Sequence, residues 1–347
     1  MTAAALFSTL FLLADLPTPL EEVWSVEEDV WYRPDELISF SPDGSLLVCR
    51  GKGGGLTVRR VEDGAVLRTL EFPSEFFGFA FLEDGRAVSA CNGEVRTWDR
   101  GLASSRPAGL SLPGRVFRLA ASGDGTRVAA AGAEFGNGEG PRWVLRFRGG
   151  VDRDVYSEDP FDDLSATADG ERVVARNGDG TVRFFDWSGR ETAVVGGEGP
   201  GRVKGDLRLT TCGPGRTAVV SRAFGHPSDS DPVVADRVTA FREDGVRAWG
   251  LPAGGAAGRI YSAAVSPDGT RVATAGGVQS LPNVQQLAVY SLPDMREVAV
   301  RRRFAFGGGA DYWAVRFTPD GRHLAALGGR GVTLFRSPAT EAGSAAE

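Results

Sequence analysis

The residues of this chain that could do chemistry are few and lie far apart. The only histidines are His226 and His323, and the three cysteines are Cys49, Cys91 and Cys212. A zinc site needs closely spaced Cys or His ligands such as Cys-x-x-Cys, and no such spacing occurs. The cysteines are therefore predicted to be small buried hydrophobic residues.

His226 is the histidine with the most suggestive surroundings. It lies in a Gly-His-Pro sequence close to Asp229 and Asp231. A metal site needs several converging ligands, so this set is weak and we predict neither a metal nor another cofactor. No Gly-x-Ser-x-Gly nucleophile elbow is present. The glycine-rich stretches 136–140 and 196–201 lack the strand-to-helix context of a phosphate loop.

Three aspartates offer the other candidate chemistry. Asp35, Asp162 and Asp206 stand where three predicted inner strands begin. If the fold brought these strand starts together, three converging carboxylates could hold a metal ion. The alternative is that they are solvated residues at the ends of strands.

A turn that recurs seven times indicates which elements must position these residues. Its glycines lie 40 to 54 residues apart. Asp-Gly between apolar runs is a strong hairpin signal, and a period of roughly 40–50 residues is typical of four-stranded propeller blades. The turns are Pro42-Asp43-Gly44, Glu83-Asp84-Gly85, Gly123-Asp124-Gly125, Ala168-Asp169-Gly170, Gly213-Pro214-Gly215, Pro267-Asp268-Gly269 and Pro319-Asp320-Gly321.

Each repeat continues into a short strand whose fourth residue is usually aromatic. Examples are Val144-Leu145-Arg146-Phe147 and Val182-Arg183-Phe184-Phe185, whereas the first repeat has Arg59 instead. An apolar residue and an aromatic three positions later point to opposite faces of a strand. Both faces must then be covered, as they are when a blade packs between two others.

These repeats resemble WD40 repeats over about residues 21–336. Ser41-Pro42-Asp43-Gly44 and Ser266-Pro267-Asp268-Gly269 match the inner hairpin of that family, and Trp98-Asp99 matches the end of its third strand. The resemblance implies an all-β, seven-bladed β-propeller of four-stranded antiparallel blades. The Gly-His dipeptide that often opens a WD40 repeat is absent, which leaves other seven-bladed propellers open.

The last repeat stops after its third strand, so the ring needs a strand from elsewhere. An open sheet edge is a liability, and Val23-Trp24-Ser25-Val26 precedes the first complete repeat. We predict that this strand pairs beside Val332–Phe335 and closes the ring. The propeller would then span 21–336, and the small, polar tail 337–347 is predicted to be disordered.

The composition disfavours one class of partner. The net charge is −6 and no long basic run occurs, which disfavours nucleic acid as a partner. Only Lys52 and Lys204 are lysines among 39 basic residues, an arginine bias that suggests a high-GC bacterial genome.

The apolar run Ala3–Ala14, within segment 1–20, is too short for a transmembrane span. It fits either a signal peptide or a short docked helix, so a cytoplasmic and an exported location both remain open.

One face of the predicted ring carries most of the length variation. The loops between second and third strands are long in repeats 3, 5 and 6, at 133–139, 223–236 and 277–285. Aromatic residues and arginine, the usual hot-spot types, lie on the same face. The alternatives are neutral loop growth and packing of the aromatics between blades. The predicted protein-binding residues are Trp31, Tyr32, Arg33, Phe77, Phe224, Tyr261 and Trp313.

The sequence thus favours a non-catalytic WD40-like scaffold that binds another protein through this face. The alternative is a lactonase-like propeller hydrolase, or a binder of a small ligand or metal, that uses the central channel and the carboxylates of Asp35, Asp162 and Asp206. Fold alone does not decide between them.

Overall fold

We describe the fold from a computed structural model of the chain. The residues that it describes are 17–27, 38–51, 55–72, 77–111, 115–135, 140–167, 170–179, 181–195, 207–213, 217–222, 236–242, 244, 247–252, 260–277, 284–292, 294–304, 312–329 and 331–338.

All regular elements in the described residues are strands, and no described helix could cross a membrane. Two short strands come first. They are followed by seven sets of consecutive strands, and each set builds one sheet. The strands at the N-terminus and in the first three sheets are β1 (Thr18–Pro19), β2 (Glu22–Glu27), β3 (Ile38–Phe40), β4 (Leu46–Arg50), β5 (Leu56–Arg60), β6 (Val66–Leu70), β7 (Phe77–Phe81), β8 (Ala87–Cys91), β9 (Glu94–Trp98), β10 (Ser105–Ser111), β11 (Arg115–Ala121), β12 (Val128–Glu134), β13 (Arg142–Arg148) and β14 (Arg153–Ser157).

The remaining strands build the fourth to seventh sheets. They are β15 (Phe161–Ala166), β16 (Arg172–Asn177), β17 (Val182–Asp186), β18 (Glu191–Val195), β19 (Leu207–Gly213), β20 (Thr217–Arg222), β21 (Asp236–Arg242), β22 (Arg247–Pro252), β23 (Ile260–Val265), β24 (Arg271–Gly277), β25 (Val284–Ser291), β26 (Glu297–Phe304), β27 (Tyr312–Phe317), β28 (His323–Gly328) and β29 (Gly331–Arg336).

The sheets form a closed ring. Six of the sheets have four strands each, paired in antiparallel order. The remaining sheet, formed by β23 to β26, has a fifth strand because β1 pairs with β26. The inner strands β3, β7, β11, β15, β19, β23 and β27 each contact the next, and β27 contacts β3. This is the architecture of a β-propeller, as the repeats predicted.

The third strands show why both faces of a sheet need apolar residues. In β13, Leu145 and Phe147 are buried in a cluster with residues of the fourth sheet, and the Phe147 ring lies 5.7 Å from the ring of Phe185. Val144 and Arg146, on the opposite face, are also buried. The alternation of the strand therefore places every second residue against a different neighbouring sheet.

The predicted closing strand is confirmed. β2 pairs antiparallel with β29, with Val26 opposite Val332 and Ser25 opposite Thr333. The indole N–H of Trp24 donates to the carbonyl of Val61 at 2.7 Å. Because Val61 follows β5 of the first sheet, Trp24 joins the last sheet to the first.

The N-terminal segment also contacts a sheet that the sequence did not indicate. Thr18 and Pro19 pair in parallel with Ala299 and Val300 at the outer edge of the sixth sheet. Leu20, which follows them, is 2% exposed and packs in the core between the sixth and seventh sheets. Residues 18–26 therefore contact three consecutive sheets.

Ser337 and Pro338, which follow the last strand, contact the sixth sheet. Arg271, at the start of β24, donates to the Ser337 hydroxyl at 2.7 Å and also to the carbonyl of Pro338. Ser337 is buried. Residues 339–347 of the predicted disordered tail lie outside the described residues.

The recurring Asp-Gly turns share one hydrogen-bond pattern. In the third sheet, Asp124 accepts from the Ser122 hydroxyl at 2.6 Å and from the backbone N–H of Thr126 at 3.0 Å. Gly125 supplies the positive φ of 71° that the turn requires. The same pattern around Asp43 and Asp268 confirms that these carboxylates shape turns.

These turns predict a loss of stability in acid. The Ser122 hydroxyl, followed by the donors of Thr126, lowers the pKa of Asp124 to about 2, and the Ser41 hydroxyl chiefly lowers that of Asp43. Since these pKa values lie below those of the unfolded chain, the stabilisation is complete above pH of about 4 and is lost as the pH falls towards about 2. We expect the thermal midpoint to fall over this window.

The Asp124→Asn variant tests this explanation. It should be less stable near neutral pH and should lose less stability between pH of about 4 and about 2, because one titrating group is gone. Glu158→Gln, at an exposed carboxylate outside the turns, is the control. An unchanged pH dependence in Asp124→Asn would contradict the role given to the turn carboxylates.

Candidate interaction face

The loops at one end of every sheet define the candidate face, which we call the loop face. Phe161 at the start of an inner strand lies opposite Asn177 at the end of a second strand, and Arg115 likewise lies opposite Ala133. Loops that lead into first strands and loops that join second to third strands are therefore on the same side. The Asp-Gly turns lie at the opposite end.

The structure describes the side chains of only some of the predicted contact residues. Trp31, Tyr32, Arg33 and Phe224 lie outside the described residues, and Phe77 begins β7 opposite Cys91. Their part in binding stays a prediction.

Tyr261 and Trp313 are described, and both are buried. They are 7% and 5% exposed and pack with Leu47, Ala325 and Val332 in one hydrophobic cluster. These side chains therefore pack between sheets, as the alternative interpretation proposed. Their burial does not support direct contact with a partner. They hold the inner strands in place beneath the loop face.

The other aromatics at the starts of inner strands behave in the same way. Phe161 and Tyr312 are buried, and the Phe117 ring lies 6.2 Å from the ring of Trp143. A large ring at this position fills the space where an inner strand meets its neighbour, so sequence position alone could not distinguish a contact residue from a packing residue.

The insertion in the third repeat lengthens a hairpin. Its first residues, Ala133 and Glu134, extend β12, and Glu134 pairs with Arg142 at the start of β13. The hairpin strands of this sheet have seven residues each, compared with five in β4 and β5 of the first sheet. Residues 136–139, 223–235 and 278–283 of the three insertions lie outside the described residues.

Two exposed aromatic side chains lie at the loop-face end of the third sheet, one directly after β12 and one on β14. Phe135 is 59% exposed and Tyr156, near the end of β14, is 46% exposed, and they are the only exposed aromatics among the large hydrophobic side chains that the structure describes. The guanidinium of Arg115 lies 4.9 Å from the centre of the Phe135 ring, and that of Arg142 lies 4.4 Å from the Tyr156 ring. We call these four residues the exposed end of the third sheet.

A buried ion network supports this end from below. Arg146, in the middle of β13, is 1% exposed and donates to Glu134, the residue before Phe135. Its Nε lies 3.6 Å from a carboxylate oxygen of Asp154, two residues before Tyr156. Arg148 pairs with the same aspartate at 2.7 Å. Arg146 thus joins the strands that carry the two exposed aromatics.

Few signals in the sequence indicated these residues. Phe135 falls within the insertion at 133–139, which was the available signal. Tyr156 lies in an ordinary fourth strand, and Arg115 and Arg142 are two among many arginines. Only the pairing of β11 to β14 brings all four to one end of the sheet.

Ion pairs occupy the inner part of the same face between the third and fourth sheets. Arg176 lies 3.2 Å from Asp162, and Arg118 lies 3.5 Å from Asp163. Burial raises the pKa of Asp162, although the charges of Arg176 and Arg118 oppose this. Asp162 is therefore engaged by arginine.

The candidate metal ligands do not come together in the described part of the chain. Asp35, Asp206 and His226 lie outside it, and His323 is the first residue of β28, as predicted. No group of three or more His, Cys, Asp or Glu residues that could hold a metal ion occurs among the described residues. Cys49 is buried and Cys91 is half-buried, in different sheets.

Comparison with known proteins assigns the fold. No protein-family model matches the sequence, and no curated protein matches it. Among solved structures, the chain is similar to the Cps50 (Swd1) β-propeller domain of Myceliophteria thermophila, at 17% identity and a TM-score of 0.58, over 93% of this chain and 100% of that one. A chain of the mitotic checkpoint complex is 13% identical, with a TM-score of 0.62 and 93% of each chain covered.

This chain has a WD40-like β-propeller fold. The likeness extends along nearly the whole chain, in agreement with the closed ring of sheets. At these identities the likeness concerns fold, and functional residues must be argued from the site itself.

Proposed function

We propose that this protein is a non-catalytic scaffold that binds another protein through its loop face. The observation that carries the proposal is the exposed end of the third sheet, where Phe135 and Tyr156 stand in solvent beneath Arg115 and Arg142. Tyrosine, tryptophan and arginine dominate the hot spots of protein interfaces. Each ring carries a stacked guanidinium and keeps about half of its area in water, so both offer apolar surface and arginine to a partner.

The rigidity of the support adds to the proposal. The four residues project from paired strands, and Arg146 ties two of those strands together through Glu134 and Asp154. A surface that is ordered before binding loses less conformational entropy when a partner docks. The predicted residues Trp31, Tyr32, Arg33, Phe77 and Phe224 would enlarge the contact along the same face.

The hydrolase alternative gains nothing from the described residues. It would need carboxylates that are open towards the channel, and Asp162 is instead paired with Arg176. We therefore retain one proposed function.

The test is affinity capture from lysate of the source organism, with the wild-type chain beside Phe135→Ser/Tyr156→Ser. We expect the wild type to retain a protein that the double variant loses, because the exposed apolar surface that binds it is gone. A second variant, with 223–236 replaced by a short Asp-Gly hairpin, measures the contribution of the longest insertion.

The matched control is Val66→Ser/Leu67→Ser on β6, which removes two exposed apolar side chains from an outer strand instead. It should capture the partner as the wild type does. Equal capture by the control, the wild type and Phe135→Ser/Tyr156→Ser would argue against the third sheet as the binding site. Capture of no protein by the wild type would overturn the proposal as stated.

A further inference from the structure

We infer that the outer edge of the sixth sheet binds an acidic, extended segment of another protein as an added strand. The sheet already holds one added strand from its own chain, because β1 pairs in parallel with Ala299 and Val300 of β26. Addition of a strand to a sheet edge is a common mode of peptide recognition, in which main-chain hydrogen bonds provide the affinity. The site lies in a different sheet from Phe135 and Tyr156, so this inference goes beyond the proposed function and does not rest on it.

Strand β26 extends well past the short strand that covers it. It has eight residues, compared with five in each of the outer strands β6, β14 and β18. Its inner edge is paired with β25 as far as Phe304, which lies opposite Val284. Among the described residues, its outer edge is paired with β1 alone, at Ala299 and Val300. In the described part of the chain, residues 301–304 therefore form an open strand edge, which we call the arginine edge.

One hydrogen bond shows which backbone groups of the arginine edge point outwards. The carbonyl of Val300 accepts from the N–H of Leu20 at 3.3 Å, so the backbone groups of Val300 face away from β25. The direction of these groups alternates along a strand, and the pairing of β26 with β25 is regular from Ala299 to Phe304. Arg302 and Phe304 therefore each direct an N–H and a carbonyl towards the open side. Such a row of outward groups is a template for a further strand.

The side chains of the arginine edge select a partner by charge. Arg301 and Arg302 keep 40% and 43% of their side-chain surface exposed, and Arg303 follows them in sequence. Arg301 lies 3.6 Å from Glu22, and Arg302 lies 3.4 Å from Glu297. Exposed ion pairs of this kind contribute little to stability, and a guanidinium has five donors. Each of these arginines can therefore bind a further carboxylate without losing the pair that it has.

The acid beside Arg302 is also engaged within its own sheet. Glu297 accepts from the Gln286 amide at 3.3 Å and from the Tyr290 hydroxyl at 3.4 Å, and both of these residues are buried. The edge thus has three arginines in sequence, and the described contacts supply two carboxylates, one of them shared with buried groups. This balance of charge favours an acidic segment and repels a basic one.

The same charge argues against a second copy of this chain as the occupant. Two copies of β26 that paired in antiparallel order about a twofold axis would bring their arginine runs together. Like charges on opposing strands are destabilising. The end of β26 leads towards the inner strand β27, so the arginine edge lies at the rim of the loop face. A partner bound on that face could therefore also place an acidic segment here.

The experiment measures fluorescence anisotropy of short labelled peptides with the full-length protein. The acidic probe repeats Thr-Glu three times, and the basic probe repeats Thr-Lys. A third probe has the acidic sequence with every backbone nitrogen methylated, so that it keeps its charge but cannot donate hydrogen bonds as a strand. We expect the acidic probe to bind at least about tenfold more tightly than either of the others.

Variants separate the contribution of the backbone from that of the charge. Arg302→Pro removes an N–H that points outwards, which an edge strand tolerates, and should raise the Kd of the acidic probe at least about tenfold. Arg302→Ala keeps this N–H and should raise the Kd about threefold. Arg153→Ala, at an exposed arginine of the outer strand β14, is the control and should bind as the wild type does. Thermal melting confirms that each variant is folded, and the methylated probe makes the same test on the wild-type protein.

Hydrogen exchange followed by mass spectrometry locates the bound probe. The amides of Arg302 and Phe304 should exchange rapidly in the free protein and slowly with the acidic probe, because the added strand accepts their hydrogen bonds. Slow exchange of both amides in the free protein would overturn the inference, since another part of the chain would then already cover the edge.

Three other results would also overturn it: no probe binds, the basic or the methylated probe binds as tightly as the acidic one, or folded Arg302→Pro binds as the wild type does. The arginines would then only protect the edge against pairing, as charges on edge strands commonly do. The proposed function is judged separately, because its capture experiment depends on Phe135 and Tyr156 in the third sheet.

Discussion

Trp24→Ala should lower the free energy of unfolding by about 2–3 kcal/mol, somewhat less than the roughly 3–5 kcal/mol typical of fully buried aromatics, because Trp24 is half-buried. Its ring packs on the turn at Gly64, where an added Cβ would lie 2.9 Å from the indole, and its N–H donates to Val61. Loss of the side chain removes the contact that joins the closing strand to the first sheet.

Urea unfolding followed by circular dichroism measures this change. Val23→Ala, at the neighbouring and exposed residue of the same strand, is the matched control and should alter the free energy by less than about 0.5 kcal/mol. A chain that starts at residue 28 should aggregate, since β29 would present an unpaired edge. Equal stability of Trp24→Ala and Val23→Ala would show that the closing strand depends on backbone pairing alone.

Arg146→Met should lower the free energy of unfolding by about 2–4 kcal/mol. Removal of one partner from a buried ion network typically costs about 3–5 kcal/mol because the opposite charges remain. The cost is reduced here because Glu134 and Asp154 keep some exposure and Asp154 retains Arg148. The loss of the link between β12 and β14 should also weaken capture of the partner by the exposed end of the third sheet.

The control for Arg146→Met is Arg60→Met. Arg60 also belongs to a third strand, at the end of β5, but its ion pair with Asp63 is largely exposed on both sides. Exposed pairs contribute about 0–1 kcal/mol, so we expect little change in the urea midpoint. If both variants lost the same stability, the network beneath Phe135 and Tyr156 would not be the support that we describe.

Much of the fold follows from local chemistry that the sequence displays. The turn at Asp124 and Gly125 depends on a hydroxyl two residues before the aspartate and a backbone N–H two residues after it. The alternation of apolar residues around Phe147 requires a neighbouring sheet on each face. The need for a last strand and the presence of Val23–Val26 were enough to predict the pairing of β2 with β29. Such features depend on neighbouring residues or on the repeat, so they can be predicted without coordinates.

The candidate site depended on the tertiary structure. Tyr261 and Trp313 have the residue types of a contact surface, but the packing of adjacent sheets covers them. Tyr156 has no distinctive pattern, yet strand register places it beneath Arg142.

The parallel pairing of Thr18 with Ala299 and the bond from Arg271 to Ser337 join residues far apart in the chain. Burial and charge pairing of this kind depend on which strands become neighbours in the closed ring. The sequence therefore specified the repeating unit, whereas ring closure decided which side chains remain exposed to meet a partner.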